Sequence, residues 1–130
     1  PTTANSDTQT VLSYLSEINK KLEGSPFKIA YRVRDEFLIY CANYKHVKGE
    51  SLSKEELHQA LDDLTLMKIL PRIEGDAQKT KGVLRGLKEV IEGQNWNLRN
   101  LQGNEKKAGS LVKIEDMVRR LDYHYTSYWP

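Results

Sequence analysis

The sequence predicts an all-α domain, a bundle of five helices, from three observations. Apolar residues recur every three or four positions in five separate stretches of the 130 residues, a spacing that places them on one face of a helix. Two of these stretches begin with a serine followed three residues later by Gln or Glu, the pattern of a capping box. Strand-like alternation is confined to residues 27–29. A chain of this length buries one core, so we expect residues 1–130 to form a single domain.

The first helix is predicted over residues 7–23. Ser6 with Gln9 forms its capping box, and Gly24-Ser25-Pro26 ends it. The second helix is predicted over residues 32–44, and a polar loop over residues 45–51, which holds Gly49, follows it. The inner faces of the two helices are expected to carry Val11, Leu15, Ile18, Leu22, Val33, Phe37, Tyr40, Cys41 and Tyr44.

The third helix is expected to begin at a second capping box, Ser53 with Glu56. We expect it to end before Pro71, because proline disfavours helical geometry at the residue before it. Residues 61–75, LDDLTLMKILPRIEG, form the most specific string of the chain: an apolar helix, the proline, and a turn that closes on Gly75. One side of the helix is predicted to carry Leu57, Leu61, Leu64 and Met67.

The fourth and fifth helices are predicted on either side of a long loop. Asp76 can cap the fourth helix, in which Gly82 and Gly86 are predicted to allow close approach of another helix. The loop spans residues 93–109, with its first half pinned by Trp96 and Leu98, and the fifth helix covers residues 110–122. Their expected inward residues are Val83, Leu84, Leu87, Val90, Ile91, Leu111, Ile114, Met117, Val118 and Leu121.

An aromatic tail, residues 123–130, ends the chain. Bases can stack on exposed aromatic rings. However, amphipathic rings at a chain end commonly cover a helical core, so we interpret Tyr125, Tyr128 and Trp129 as packing residues.

The motifs do not favour an enzyme in this chain by itself. There is no phosphate-binding glycine loop, and His46, His58 and His124 are scattered, so no metal site is predicted. The acid pairs Asp35-Glu36 and Asp62-Asp63 are interpreted as solvated surface. The lone Cys41 is interpreted as a buried, inert thiol, which fits a reducing cytoplasm.

The charge and hydropathy of the sequence limit the classes of partner that the protein could bind. The net charge is only +2, but residues 81–120 hold nine Lys or Arg against five acids. A solvated helical face or a nucleic-acid surface would both explain that excess. No apolar run approaches the roughly 20 residues that span a bilayer. The first residues lack a signal-peptide pattern, which predicts a cytoplasmic protein.

Arg32 and Arg34 are unusual in their position, because a basic residue at a helix start opposes the helix dipole. Such residues can join free backbone N–H groups in binding an anion. The alternative is a surface salt bridge with Asp35, Glu36 or another helix. The residues by themselves leave both interpretations open.

Four strings together resemble the C-terminal helical part of AAA+ motor subunits of modification-dependent restriction systems, the McrB type. They are LSEINKKLEG, FKIAYRVRDEFLIYCANY, ALDDLTLMKILPRIEG and TSYWP, in the order and at the spacing seen in that family. The resemblance covers most of residues 12–130, leaving out the loop of residues 93–109. One departure is Ala30, where the family often has Gly.

The resemblance implies a helical lid that follows a nucleotide-binding core, so the chain, which begins with Pro1, is expected to be part of a longer protein. Arg32 takes the position of the phosphate-reading "sensor 2" arginine, with Arg34 as the alternative. The parent protein would bind a nucleoside triphosphate with Mg²⁺, assemble as a ring of identical subunits, and drive a nuclease subunit on DNA. The turn formed by Lys68, Leu70, Pro71, Arg72 and Gly75 would be a packing device or a subunit contact.

Overall fold

The computed structural model describes residues 2–29, 31–48 and 52–129, and over these residues it confirms the all-α bundle. Five α-helices are present in them: α1 (Thr2–Leu22), α2 (Tyr31–Lys48), α3 (Lys54–Leu64), α4 (Ala77–Gln94) and α5 (Gly109–Arg120). A π-turn (Thr65–Ile69) and a 3-10 turn (Leu70–Arg72) extend α3, and a second 3-10 turn (Leu121–Tyr123) extends α5. The only β-pairings within the described ranges are two isolated bridges.

One hydrophobic core joins the elements. Helix α1 packs against α4 and α2, and α5 packs against α4 and α3. The largest fully buried side chains come from all five helices and from the segment after α3; they are Val11, Tyr14, Ile18, Leu22, Phe37, Leu61, Leu70, Ile73, Leu84, Leu87, Ile114 and Met117. None of the helices in the described ranges is both long and apolar enough to cross a membrane.

Helix α1 begins earlier than predicted. It starts at Thr2, so Ser6 lies inside the helix and the predicted Ser6–Gln9 capping box is wrong. Residues 2–5 contain no proline or glycine that would break the helix before Ser6, and the Ser6 carbonyl accepts a 2.9 Å hydrogen bond from Thr10 Oγ1. The predicted end is confirmed: Gly24 has a φ of 81°, and Ser25 Oγ donates to the carbonyl of Leu22.

Helix α2 extends four residues past its predicted end at Tyr44, to Lys48. Residues 45–48 contain no helix breaker, and the first glycine is Gly49. The expectations on Ala30 and on residues 49–51 lie outside the described residues. Val33, Phe37 and Cys41 are buried as predicted, but Tyr40 is exposed because it lies toward the outer side of the helix.

The Ser53–Glu56 capping box is confirmed in α3, where Glu56 N donates to Ser53 Oγ and Ser53 N donates to Glu56 Oε1. The predicted stop at Pro71 is wrong, because the chain leaves α-geometry at Thr65. In the π-turn, Leu70 N–H donates to the Thr65 carbonyl, five residues back. Met67 is consequently 53% exposed instead of buried, and Pro71 fits into the 3-10 turn that follows.

Helix α4 confirms most of its predicted features. Asp76 caps it through Lys79 N, and its five predicted apolar residues are buried. A Cβ at Gly86 would lie 3.0 Å from Lys21 Cβ, so that glycine does allow α1 to approach. Gly82 has nothing within 4 Å of such an atom, and its predicted role in close approach is wrong.

Long-range contacts hold the loop between α4 and α5 and the start of α5. Leu98 is buried, and the Trp96 ring lies 5.2 Å from that of Tyr14, as the predicted pinning requires. Asp62 on α3 is also buried and accepts hydrogen bonds from Gly109 N, Ser110 N and Ser110 Oγ. The interpretation of Asp62 as solvated surface is therefore wrong, because its carboxylate caps α5 from another helix.

Candidate functional site at the start of helix α2

Arg32 stands in the first turn of α2 with 89% of its side chain exposed. Its Nε lies 3.3 Å from Oε1 of Glu36, one turn further along the helix. The extended link before α2 is fixed by Asn19 of α1, whose Oδ1 accepts a 3.0 Å hydrogen bond from Ile29 N. Phe27 and Ile29 are buried in the same link. Arg32 is therefore an exposed cation, and the link that precedes its helix is anchored to α1.

Glu36 connects Arg32 to a second cation. Its Oε2 lies 2.9 Å from Nζ of Lys68, which belongs to the π-turn. The close contact with Lys68 is the main cause that holds the pKa of Glu36 below its usual value against partial desolvation, and the charge of Arg32 adds to that effect. The three side chains carry a net charge of +1. Two strings that are separate in sequence thus meet at one carboxylate.

The sequence indicated only one of the two ion pairs that Glu36 forms. The spacing of four between Arg32 and Glu36 is typical of a helical salt bridge and was one of the alternatives. Lys68 could not be placed beside Glu36 from the sequence, because the pairing depends on how α2 and the π-turn pack.

Arg34 does not join the Arg32 cluster. Its Nε lies 3.7 Å from Asp35 Oδ1, and the side chain lines a cleft of about 680 Å³ between α1 and the link. The apolar residues of the cleft are Leu12, Leu15 and Ile29, and its basic residues besides Arg34 are Lys20 and Lys28. The two arginines therefore line different parts of the surface.

The turn around Pro71 is pinned from inside and from the tail. Leu70 and Ile73 are fully buried, whereas Lys68 and Arg72 are exposed. Gly75, at a φ of 138°, exchanges two 2.9 Å backbone hydrogen bonds with Thr126. A side chain could not easily replace this glycine, since the φ is strained for L residues and a Cβ would lie 2.9 Å from Lys79 Cδ.

Only part of the aromatic tail covers the core. Tyr128 packs against it and lies under Nζ of Lys113, 4.5 Å from the ring centroid. Tyr125 and Trp129 are 56% and 62% exposed, contrary to the expected packing. The tail is held by its backbone instead, because Arg120 Nη1 donates hydrogen bonds to the carbonyls of Ser127 and Trp129.

Comparison with known proteins gives a family but no function. A domain-family model matches residues 2–126, nearly the whole chain. The chain belongs to that family. It is described as a domain of unknown function (DUF8727). Neither a curated protein nor a solved structure matches the chain.

In this DUF8727 domain, Cys41 and His58, whose residue types often serve in metal binding and catalysis, are buried in the fold. The described residues hold no group of three or more His, Cys, Asp or Glu suited to a metal ion. Burial raises the pKa of the Cys41 thiol to about 11, as an inert thiol requires. His58 is buried, and its Nδ1 accepts a hydrogen bond from Asn97 N, while burial and then Lys54 lower its pKa.

In the DUF8727 domain's C-terminal half, five of the nine basic residues counted over residues 81–120 form ion pairs, and two acids take part in four of these pairs. Glu115 contacts Lys88 and Lys107, and Asp116 contacts Arg119 and Arg120. The hydrogen bond from Lys107 is the main cause that lowers the pKa of Glu115. At Asp116, desolvation would raise the pKa, but Arg120 and Arg119 outweigh it. These pairs reduce the positive field that a phosphate backbone would meet.

Proposed function

We propose that this domain is the helical lid of a AAA+ nucleoside triphosphatase of the McrB type, and that Arg32 contacts the nucleotide phosphates. The order of the four sequence strings and the all-α bundle of five helices support the proposal. The observation that carries it is the exposed Arg32 at the first turn of α2, held by Glu36 through Nε alone.

The geometry of that contact suits phosphate recognition. A guanidinium presents donors along more than one edge, and bidentate Arg–phosphate pairs are strong and directional. Because Glu36 contacts Nε, the Nη groups at the end of Arg32 are the donors that a phosphate would meet. Lys68, exposed on the same cluster, adds positive charge nearby.

The nucleotide and its Mg²⁺ would be held mainly by a core domain outside this chain. The site residues present here fit the phosphate and not the metal, since the Glu36 carboxylate is already paired with two cations. In this proposal the lid closes over the nucleotide and passes the motion to neighbouring subunits of a ring in the cytoplasm. The parent protein then drives a nuclease subunit on DNA, with GTP or ATP as its substrate.

Two other functions have unequal support. A nucleic-acid-binding module is disfavoured by the acids that pair with the C-terminal basic residues. A protein-interaction bundle draws support from the exposed rings of Tyr125 and Trp129, since exposed apolar patches mark interaction sites. A subunit contact of the lid would use such a surface as well.

The test is the turnover of nucleotide by the protein at its natural length. We expect Arg32→Ala to lower kcat about 10- to 100-fold, because hydrogen bonds to charged groups contribute roughly 1.5–3 kcal/mol. Arg85→Ala is the matched control, since Arg85 is exposed on α4 and lies outside both the cluster and the Pro71 turn. Unchanged GTP and ATP turnover in Arg32→Ala would reject the assignment, and a loss in Arg34→Ala alone would transfer it to Arg34.

A further inference from the structure

The Arg32–Glu36–Lys68 cluster joins two elements through one carboxylate. Glu36 places Oε1 3.3 Å from Arg32 Nε and Oε2 2.9 Å from Lys68 Nζ. Its side chain is only 30% exposed, whereas that of Arg32 is 89% exposed. The carboxylate is thus the inner, better-fixed member of the cluster and the arginine its outer member.

A fixed carboxylate can help an exposed arginine to bind an anion. A free arginine side chain has a large rotamer entropy, part of which is lost when the side chain is held in place. Glu36 restrains the guanidinium before an anion arrives, and it does so through Nε, so the Nη groups of this 89% exposed side chain are the donors left for an anion. A single Arg–Glu pair would be neutral, but Lys68 restores a net charge of +1 to the cluster.

The π-turn determines where Lys68 lies. It adds one residue to the helical path, and each residue of a helix turns the chain by about 100°. The turn is stabilised from within: Thr65 Oγ1 donates to the Leu61 carbonyl at 2.7 Å, and the buried Tyr14 hydroxyl donates to Thr65 Oγ1, also at 2.7 Å. In a continuous α-helix, Lys68 would lie on a different face from the one that meets Glu36.

We propose that Glu36 is the positioning residue for Arg32, and that Lys68, placed by the π-turn, anchors Glu36 and offsets its charge. This inference rests on the proposed function of Arg32. It assigns a role to an acid that belongs to one identifying string and to a lysine that belongs to another.

The experiment uses the protein at its natural length and measures kcat and KM for GTP and ATP. We expect Glu36→Gln and Lys68→Met each to lower kcat/KM about three- to tenfold, the loss from one ordinary to moderately strong hydrogen bond. Lys68→Arg should recover most of the loss, since it keeps the charge. Lys81→Met, which changes an exposed lysine on α4, is the matched control and should leave both constants unchanged.

Repeating Glu36→Gln and Lys68→Met in an Arg32→Ala background separates positioning from a structural role. If Glu36 acts through Arg32, neither substitution lowers turnover further in that background. Equal losses in both backgrounds, or a fall in melting temperature that accounts for the loss, would overturn the proposal.

The failure of this inference can be told from the failure of the proposed function. A loss in Arg32→Ala with normal turnover in Glu36→Gln overturns the positioning role alone. Normal turnover in Arg32→Ala rejects the phosphate-contact role of Arg32, and the positioning role with it.

Discussion

Two neighbouring aspartates show how strongly the surroundings of a residue decide its role. Asp62 is almost fully buried and accepts three hydrogen bonds at the start of α5, while Asp63 is partly exposed and accepts one from Gln59 Nε2. The sequence pattern predicts a solvated surface position for both. Their difference arises because Asp62 faces Gly109 at the start of α5. The packing there is tight, since a Cβ on that glycine would lie 3.0 Å from Leu66 Cδ1.

The pair gives a matched prediction. Asp62→Ala should lower the free energy of unfolding by about 2–4 kcal/mol, because it leaves two backbone N–H groups of α5 without their acceptor. Asp63→Ala should change it by less than about 0.5 kcal/mol, as expected for a surface substitution. Urea unfolding of both variants checks this. Similar losses in the two variants would show that the carboxylate of Asp62 does not cap α5.

Among the elements, local sequence signals predicted the starts of α3 and α4 but not the start of α1, where the Ser6–Gln9 pattern lies inside the helix. The capping box of Ser53 and the cap of Asp76 were found because their partners lie three residues away. The π-turn after α3 was missed, since the hydroxyl of Tyr14 that supports it lies 51 residues from Thr65. The predicted burial of Met67 was wrong for the same reason, because it assumed that the α-helix continues without a break past Thr65.

The contact of α1 with α4 yields a second matched pair. Gly86→Leu should destabilise the domain by about 1–3 kcal/mol, because its Cβ would lie 3.0 Å from Lys21 Cβ of the neighbouring helix. Gly82→Leu, one turn away and open to solvent, should stabilise it by about 0.5–1 kcal/mol through helix propensity. Melting temperatures measured side by side provide the check. Stabilisation by both substitutions would mean that α1 and α4 are further apart than described.

For the molecule as a whole, the sequence predicted the helix count and most of the core but not the links between distant parts. Periodicity sufficed for residues such as Leu61 and Leu84, which lie in the centre of strongly amphipathic helices. It could not show that Gly75 pairs with Thr126, or that Lys68 contacts Glu36. Those contacts depend on the tertiary packing of segments more than thirty residues apart, for which a single sequence holds no local signal.

The same long-range contacts predict that the domain unfolds in one step. The loop between α4 and α5 is tied to α1 through Trp96 and Tyr14 and to α3 through Asn97 and His58. It should therefore unfold with the helices and not before them. In a Trp129→Phe variant, which removes the exposed ring, the fluorescence of Trp96 should report an unfolding midpoint equal to that of far-UV circular dichroism. An earlier fluorescence transition would show that the loop detaches while the bundle remains folded, and that its contacts to α1 and α3 add little to the stability of the core.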